Sequence, residues 1–284
     1  MRKNILQCFN WKLTDIIENL PKIKESGFNT IQTSPLQGAK ERLNGVNWWI
    51  LYQPTNYKIG NDLGSKDDLT RLCTEARKYG IDILVDVIFH HLANYRDNDI
   101  SPMVDKDIAN LNDLFYSTSF YNIQNYNNQW ECTHYSLGGL PALNLKNRQL
   151  RKMQFDYLID LRECGVKGAR FDALRHLSPD DNYFEEMRSI VGNDFIDNSY
   201  GECIECSYNV VKEYQRYMKV GTDISIHKED SNCVIFVYSH DHEMTFGRPM
   251  DDNWLNQEYR FLLDNYKADT LYYTRKYNNS WQYI

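Results

Sequence analysis

An alternation limits how this chain can fold more than any other feature of its sequence. Short runs rich in β-branched and aromatic residues are separated by longer segments of helical periodicity, the pattern of βα units that build a parallel sheet. Eight candidate strands follow one another: Ile5 to Phe9, Thr30 to Thr33, Ile81 to Ile88, Gly168 to Phe171, Ile196 to Gly201, Met218 to Ile224, Val234 to Ser239 and Thr270 to Thr274. Eight parallel strands predict an α/β fold closed into a (β/α)8 barrel of the TIM type, which commonly occupies about 250 residues as one unit. A chain of 284 residues therefore does not have to be divided in two.

The clearest helix runs from Ser65 to Tyr79. Ser65 and Asp68 have capping-box spacing, Leu69, Leu72, Cys73 and Ala76 make one apolar stripe, and Gly80 follows. Other helices are predicted after Asn147 (Leu150, Met153, Tyr157, Leu161, then Gly165), after Ser207 (Val210, Val211, Tyr214, Tyr217, Met218) and over Trp254 to Leu263. Leu13 to Ser26 has the same period, with Pro21 expected to kink or split it. From Leu92 to Asn144 the text turns to Asn, Asp, Tyr and Ser and loses periodicity. So long an excursion after the third strand predicts a small inserted domain, 92–144, over a barrel made of 1–91 and 145–284. Within it, the Asn-rich stretch Asn122 to Asn128 reads as loop.

Only nine residues separate Ile224 from Val234, whereas a parallel crossover normally needs a dozen or more. The sixth barrel helix is therefore expected to be missing. Nine extended residues still span about 30 Å, enough to return along one strand. Ile284 follows soon after the eighth strand, and the expectation is a barrel without its final helix.

Composition sets the class. With 42% hydrophobic and 25% charged residues the chain reads as globular, and a net charge of −7 argues against a nucleic-acid partner, because phosphate binding draws on clustered Lys and Arg. No apolar run reaches membrane-spanning length, and the start, Met1 to Trp11, is interrupted too soon to form a secretory leader. Seven cysteines, an odd number without secretory context, predict reduced thiols and a cytoplasmic protein.

Chemistry-bearing side chains gather at the ends of four predicted strands: Asp86 with His91, Asp172 with Arg170 and His176, Glu202, and His240 with Asp241. In barrels that end of the strand faces the active site. A single acid after a strand is ordinarily a solvated loop residue or a helix cap, but four such groups at one rim point to a shared site. A glycosidase needs one carboxylic acid to protonate the leaving oxygen and one carboxylate to attack or to activate water. Arg170, two residues before Asp172 and so on the same side of a strand, can keep that acid ionised, and the plain alternative is an ordinary salt bridge.

Four segments carry a resemblance. Asp82 to His91 (DILVDVIFHH), Gly168 to His176 (GARFDALRH), Tyr200-Gly201-Glu202 and Phe236 to Asp241 (FVYSHD) occur in the order of the motifs of the α-amylase family, the large barrel family that acts on starch-type glucans. Asn10-Trp11, the run Gly27 to Pro35, and Trp48 to Pro54 with Tyr57 extend the resemblance over most of the chain. It implies that Asp172 is the nucleophile, Glu202 the general acid/base and Asp241 the third carboxylate, holding sugar hydroxyls at the cleavage subsite. It also implies that His91 and His240 bind the sugar there and that Arg175 and His176 lie on the leaving-group side. Trp49 and Tyr52 would offer flat faces to glucose rings and Gln53 an amide to their hydroxyls, with Trp48 left to core packing.

The pattern departs from the family in places. The family's calcium ion uses an Asn just before the first-motif histidine and an Asp in the segment resembling Leu140 to Asn144, where this chain has His90 and Ala142. Calcium prefers oxygen ligands, so no metal and no cofactor are expected, with packing through Phe89, Leu92 and Leu143 in calcium's place. A chloride site is disfavoured by Ser239, leaving Arg170 and Arg275 as its remaining elements. Cys203 and Cys206 have CxxC spacing but no second pair, and read as two ordinary thiols.

The expected activity is therefore retaining hydrolysis of α-1,4-glucosidic bonds in starch, glycogen or maltooligosaccharides. The competing readings are a glucanotransferase that passes the same covalent intermediate to another sugar, and an inactive glycan-binding homologue.

Overall fold

The computed structural model describes residues 2–42, 47–224, 232–244, 247, 251–275 and 282. Eight parallel strands pair each with the next in sequence: β1 (Asn4–Phe9), β2 (Thr30–Thr33), β3 (Asp82–Val87), β4 (Gly168–Phe171), β5 (Tyr200–Glu202), β6 (Lys219–Asp223), β7 (Cys233–Phe236) and β8 (Asp269–Arg275). β8 returns to β1 in register, Asn4 opposite Thr270 through Phe9 opposite Arg275, and closes the barrel. The expected (β/α)8 barrel is thus the observed fold.

Helices form where apolar periodicity and caps agree. In the helix Lys66–Lys78 the side chain of Ser65 accepts from the Asp68 N–H while Asp68 reaches back to Ser65, and Leu69, Leu72, Cys73 and Ala76 are its buried face. Asn147 caps Arg148–Glu163 through the N–H groups of Gln149 and Leu150. Asp251 caps Asp252–Asn265.

Three expectations need correction. Leu13–Glu25 is one uninterrupted helix despite Pro21. A proline removes one bond, and the buried face of Leu13, Ile16, Leu20 and Ile23 outweighs that loss. The fifth strand begins at Tyr200 rather than Ile196, because Asn193–Asn198 is a helix whose Phe195 and Ile196 are buried. Tyr217 and Met218 lie beyond the helix Tyr208–Tyr214, next to β6. The expected loss of the sixth helix falls in 225–231, outside the described residues. β6 and β7 themselves pair directly, Val220 opposite Cys233.

Two features were not anticipated. Helix Tyr183–Val191 precedes Asn193–Asn198 between β4 and β5. Between β2 and the helix Lys66–Lys78, the strands Gln37–Ala39, Pro54–Asn61 and Gly64–Ser65 make a small antiparallel sheet, and the 3-10 turn Trp48–Tyr52 lies in the loop between the first two. The amide of Gln37, fully buried, joins this sheet to the barrel. It donates to Ile88 O (2.9 Å) and accepts from Ile88 N–H (2.8 Å), pairing the backbone just past β3.

The excursion 92–144 holds two short helices, Lys106–Ala109 and Gln129–His134, and isolated bridges such as Phe115 with Leu143. Leu92, Val104, Ile108, Leu114 and Leu143 belong to the same apolar cluster as the barrel's outer residues. The excursion is tied to that cluster at both ends, through Ala93 N–H to Pro54 O and Leu143 N–H to His90 O, each 2.8 Å.

Candidate active site

Strand parity decides what faces the barrel axis. Ile5, Leu84, Tyr200, Val234, Phe236 and Leu271 form an apolar cluster separate from the one shared with the helices. Two residues further along β1 and β3, on the same faces, stand Gln7 and Asp86. Gln32 pairs with Gln7, and Arg170 with Asp86. These four side chains are all buried, so a polar layer lies above the apolar one.

Arg170 is its hub. Nη1 donates to both oxygens of Asp86 (2.8 and 2.9 Å) and to Asp172 Oδ1 (2.7 Å), while Nη2 bonds Glu202 Oε1. Burial opposes the guanidinium charge, but Asp86 and Asp172 outweigh it and hold the Arg170 pKa well above its ordinary value. Burial pushes the Asp86 carboxyl up to about 7, against the pull of Arg170 and with the repulsion of Asp172. Tyr52 Oη donates to Asp86 Oδ2 at 3.0 Å. Burial, with Asp86 next, keeps that phenol well above its ordinary pKa, so it stays a neutral donor.

The rim above is more open. Asp172, just after β4, is anchored by its N–H on Val87 O (2.9 Å). Ala173 then takes a left-handed φ of 49°, a conformation that costs a non-glycine residue roughly 1–2 kcal/mol. The turn directs the Ala173 N–H at Glu202 Oε2, 3.4 Å away. The side chains of Asp172 and Glu202 are 14% and 13% exposed, against 0% for Asp86, so a ligand in the cleft meets the first two and not the third.

Asp241 enters from the short helix His240–Met244 after β7. Gln7 Nε2 donates to His240 Nδ1 (3.1 Å), which places the ring proton on Nε2, 3.3 Å from Asp241 Oδ2. The imidazole is stacked on Phe9 (centroids 4.9 Å) and Tyr52 (5.1 Å), and burial lowers its pKa so that it is neutral. His240 lies within electrostatic reach of Asp241, Arg170 and Asp172.

The remaining predicted residues divide. His91 is buried, with Nε2 on Tyr52 O (2.8 Å) and Nδ1 facing His90 Nδ1 (3.2 Å). Burial lowers its pKa. His176 is buried as well, with Nδ1 on Cys132 O (2.7 Å) and a pKa pushed down to about 3 by burial. Both rings are thus tied to backbone carbonyls. Arg175 Nη2 donates to Tyr126 O (2.5 Å), beside the Tyr126 ring. Trp49 is 47% exposed and meets Trp48 edge-on at 6.2 Å, whereas Trp48 packs against Phe9, Tyr52 and His240. Tyr52 has one face against His240, and Gln53, half-buried, closes the 3-10 turn.

Sequence reasoning gave Gln7 and Gln32 no role and noted Asp86 only at a strand end. Their signal is a polar residue at an inward position of a barrel strand, which is readable once the axis is known.

At the position that the resemblance associates with calcium, His90 lies against the rings of His91 and His176, and burial keeps it neutral. Ala142 offers only a backbone carbonyl, which accepts from Ser119 Oγ at 2.5 Å. An imidazole and a methyl group do not fit a cation that takes six to eight oxygens. Ser239 donates its N–H to His242 Nδ1 (3.1 Å), and the side chain of Arg275 lies outside the described ones. Cys203 and Cys206 are buried free thiols.

A family model for the alpha-amylase catalytic domain matches residues 11–276. An alpha-amylase of Clostridium acetobutylicum is 33% identical over 234 residues, 76% of this chain and 30% of its own length. The pancreatic alpha-amylase of Sus scrofa is 29% identical over 200 residues, 63% of this chain and 39% of its own. The chain thus spans less than half the length of these relatives. Among solved structures, alpha-amylase I from Eisenia fetida superposes with a TM-score of 0.78 at 21% identity, covering 95% of this chain and 66% of that one. The alpha-amylase of Geobacillus thermoleovorans gives 0.74 at 16% identity, covering 95% and 69%. At such identities the likeness concerns the fold, and it is the family model, matched over nearly the whole chain and over a rim where the motif acids converge on one arginine, that makes this protein a member of the alpha-amylase family.

Proposed function

We propose that this chain cleaves α-1,4-glucosidic bonds in starch, glycogen or maltooligosaccharides by a retaining double displacement. The observation that carries this reading is the bridge from one buried guanidinium to two partly open carboxylates, Asp172 and Glu202. Retaining glycosidases hold their two acids about 5–5.5 Å apart, and two acids on the terminal nitrogens of one arginine suit that separation.

In the first step the Asp172 carboxylate attacks the anomeric carbon as Glu202 gives a proton to the departing glycosidic oxygen. In the second, Glu202 takes a proton from water, which displaces Asp172 and restores the α configuration. Asp241, with its Oδ2 3.3 Å from His240 Nε2, binds sugar hydroxyls at the cleavage subsite. Arg170 donates to Asp172 and fixes its angle of attack. Trp49, Tyr52, Gln53, His91, Arg175 and His176 line the approach on either side. The capture of maltohexaose by a mutant of the Eisenia fetida enzyme supports this substrate class. The reaction needs no calcium, and the excursion 92–144 acts as a small domain roofing the rim.

The test is reducing-sugar release from soluble starch by the wild type, Asp172→Asn and Glu202→Gln. Each substitution is expected to lower kcat by about a thousandfold or more, and the first product formed should be the α anomer. Equal rates in all three proteins would end the proposal.

A further inference from the structure

Three thiols that the proposed reaction does not use meet beside the rim. Cys203 and Cys206 sit in the loop between β5 and the helix Tyr208–Tyr214, and Cys132 comes to them from the helix Gln129–His134. All three are buried and free. We propose that Cys203 and Cys206 are an oxidation site, closed to a disulfide by a peroxide, and that this bond weakens substrate binding through Arg175. Only the consequence for activity rests on the function proposed above.

One cation gathers the sulfurs. Arg175 bonds Cys132 Sγ through Nη2 (3.5 Å), Cys206 through its side chain and Cys203 through its backbone N–H. Cys203 and Cys206 are also hydrogen-bonded to each other. Among the described residues no three histidine, cysteine or acidic side chains are arranged to hold a metal ion. The CxxC spacing that reads as two ordinary thiols thus gains a guanidinium, the setting in which a cysteine becomes reactive.

The two thiols differ. For Cys206 the hydrogen bond from Cys203 lowers the pKa, burial opposes it, and the charge of Arg175 adds to the lowering. For Cys203 burial dominates and the thiol keeps its proton, and burial raises Cys132 as well. Cys206 is therefore the attacking sulfur and Cys203 the resolving one. The Cys206 thiolate takes one oxygen from hydrogen peroxide, becoming a sulfenic acid, and the hydroxide released recovers the proton that Cys206 had lost. The sulfur of Cys203 then attacks the sulfenic sulfur, and its own proton leaves with the hydroxyl as water. Two thiols and one peroxide become one disulfide and two waters, the sulfurs oxidised and the peroxide oxygens reduced.

The loop gives both access and consequence. Ile204 is half-buried and Glu205 exposed, so the pair lies directly beneath a surface turn. Glu205 has a left-handed φ of 53°, a strained conformation for a residue with a side chain, and opening the turn to a molecule as small as a peroxide releases that strain. Cys203 is pinned next to Glu202 by its N–H on Gly221 O (2.9 Å). Cys206 is the one that moves when the bond closes, and in a disulfide its sulfur has no charge to offer Arg175. The guanidinium then keeps only Cys132 Sγ and Tyr126 O, and its hold on the leaving-group side loosens.

The experiment treats the full chain with hydrogen peroxide, maps its disulfides by mass spectrometry, and measures starch hydrolysis before and after. A bond joining Cys203 to Cys206 is expected, kcat/KM on soluble starch should fall about tenfold, and dithiothreitol should restore it. Cys206→Ser should hydrolyse starch within about twofold of the wild type and ignore peroxide. Should that variant fail to fold, Cys203→Ala carries the same expectation. The proposal is overturned if both cysteines stay reduced, if Cys206 pairs with Cys132 instead, if the mapped bond leaves starch hydrolysis unchanged, or if the folded variant loses activity to peroxide as the wild type does. A wild type that forms the bond yet never releases sugar would overturn the proposed reaction and leave the oxidation site standing. Hydrolysis by a chain whose pair resists peroxide would do the reverse.

Discussion

Replacing Asp86 by asparagine should remove a specific pH dependence of stability. Three carboxylates, Asp86, Asp172 and Glu202, surround the single guanidinium of Arg170, and one cation cannot balance three ionised acids. The cheapest remedy is a proton on the acid farthest from water, and Asp86, 0% exposed, is that acid. Burial accordingly raises its pKa from the ordinary 3.8 to about 7.

The sign follows from linkage. Below about pH 4 the carboxyl carries its proton in both folded and unfolded chains, and its contribution to stability is complete. As the pH rises towards 7 the unfolded chain releases that proton while the folded one retains it, so stability falls by about 1.4 kcal/mol per pH unit, about 4 kcal/mol in all. The amide that replaces the carboxyl would keep an oxygen for Arg170 and lacks the titration. Urea unfolding of the wild type and Asp86→Asn from pH 4.5 to 7.5 isolates the effect as a difference between the two proteins. The wild-type advantage should shrink steadily over that range and level off above it. An advantage that stayed constant, or that grew with pH, would mean that Arg170 holds Asp86 ionised in the folded protein, and the charge argument would fail.

Three further outcomes are expected. Gln37→Leu orphans the N–H and C=O of Ile88 inside the protein and should cost about 2–4 kcal/mol in denaturant titration. Ser65→Ala removes the hydroxyl half of a complete capping box and should cost about 1 kcal/mol without change in starch hydrolysis. Thermal melting in excess EDTA should match melting in calcium, since His90 and Ala142 give an oxygen-seeking cation little to bind; a chelator-induced drop of several degrees would show that another oxygen set holds the ion.

How legible each part was in the sequence depended on how local its cause is. The helix Lys66–Lys78 carries its own instructions, a cap at Ser65 and a stripe at Leu69, Leu72, Cys73 and Ala76, and both were readable. Strands β2 and β4 were readable to the residue because short β-branched or aromatic runs ended at polar turns. β5 was not, because Phe195 and Ile196 supply a strand-like apolar signal while serving as the buried face of a short helix. Nothing local separates those two uses. The small sheet at Gln37–Ala39 escaped for a related reason: three residues make no period, and part of its joint to the barrel is a side-chain amide rather than a ladder.

The site divides along the same line. Asp172, Glu202 and Asp241 stand where strands stop, and an acid there is conspicuous in any barrel. Gln7 lies inside a strand, where a polar residue reads as a solvated face until the barrel closes and shows which parity points inward, and Asp86, legible as a strand-end acid, is shown only by closure to lie in the buried layer below the rim. Closure converts β1's alternation into Ile5 on the apolar floor and Gln7 one layer above it. From there Gln7 sets the tautomer of His240, whose Nε2 lies 3.3 Å from Asp241 Oδ2. Asp86, two strands along the barrel, fixes the guanidinium that reaches Asp172 and Glu202. Asp172 and Glu202 are therefore oriented by a buried layer, and a barrel given those acids without that layer would hold two independent surface carboxylates in place of two fixed on one guanidinium.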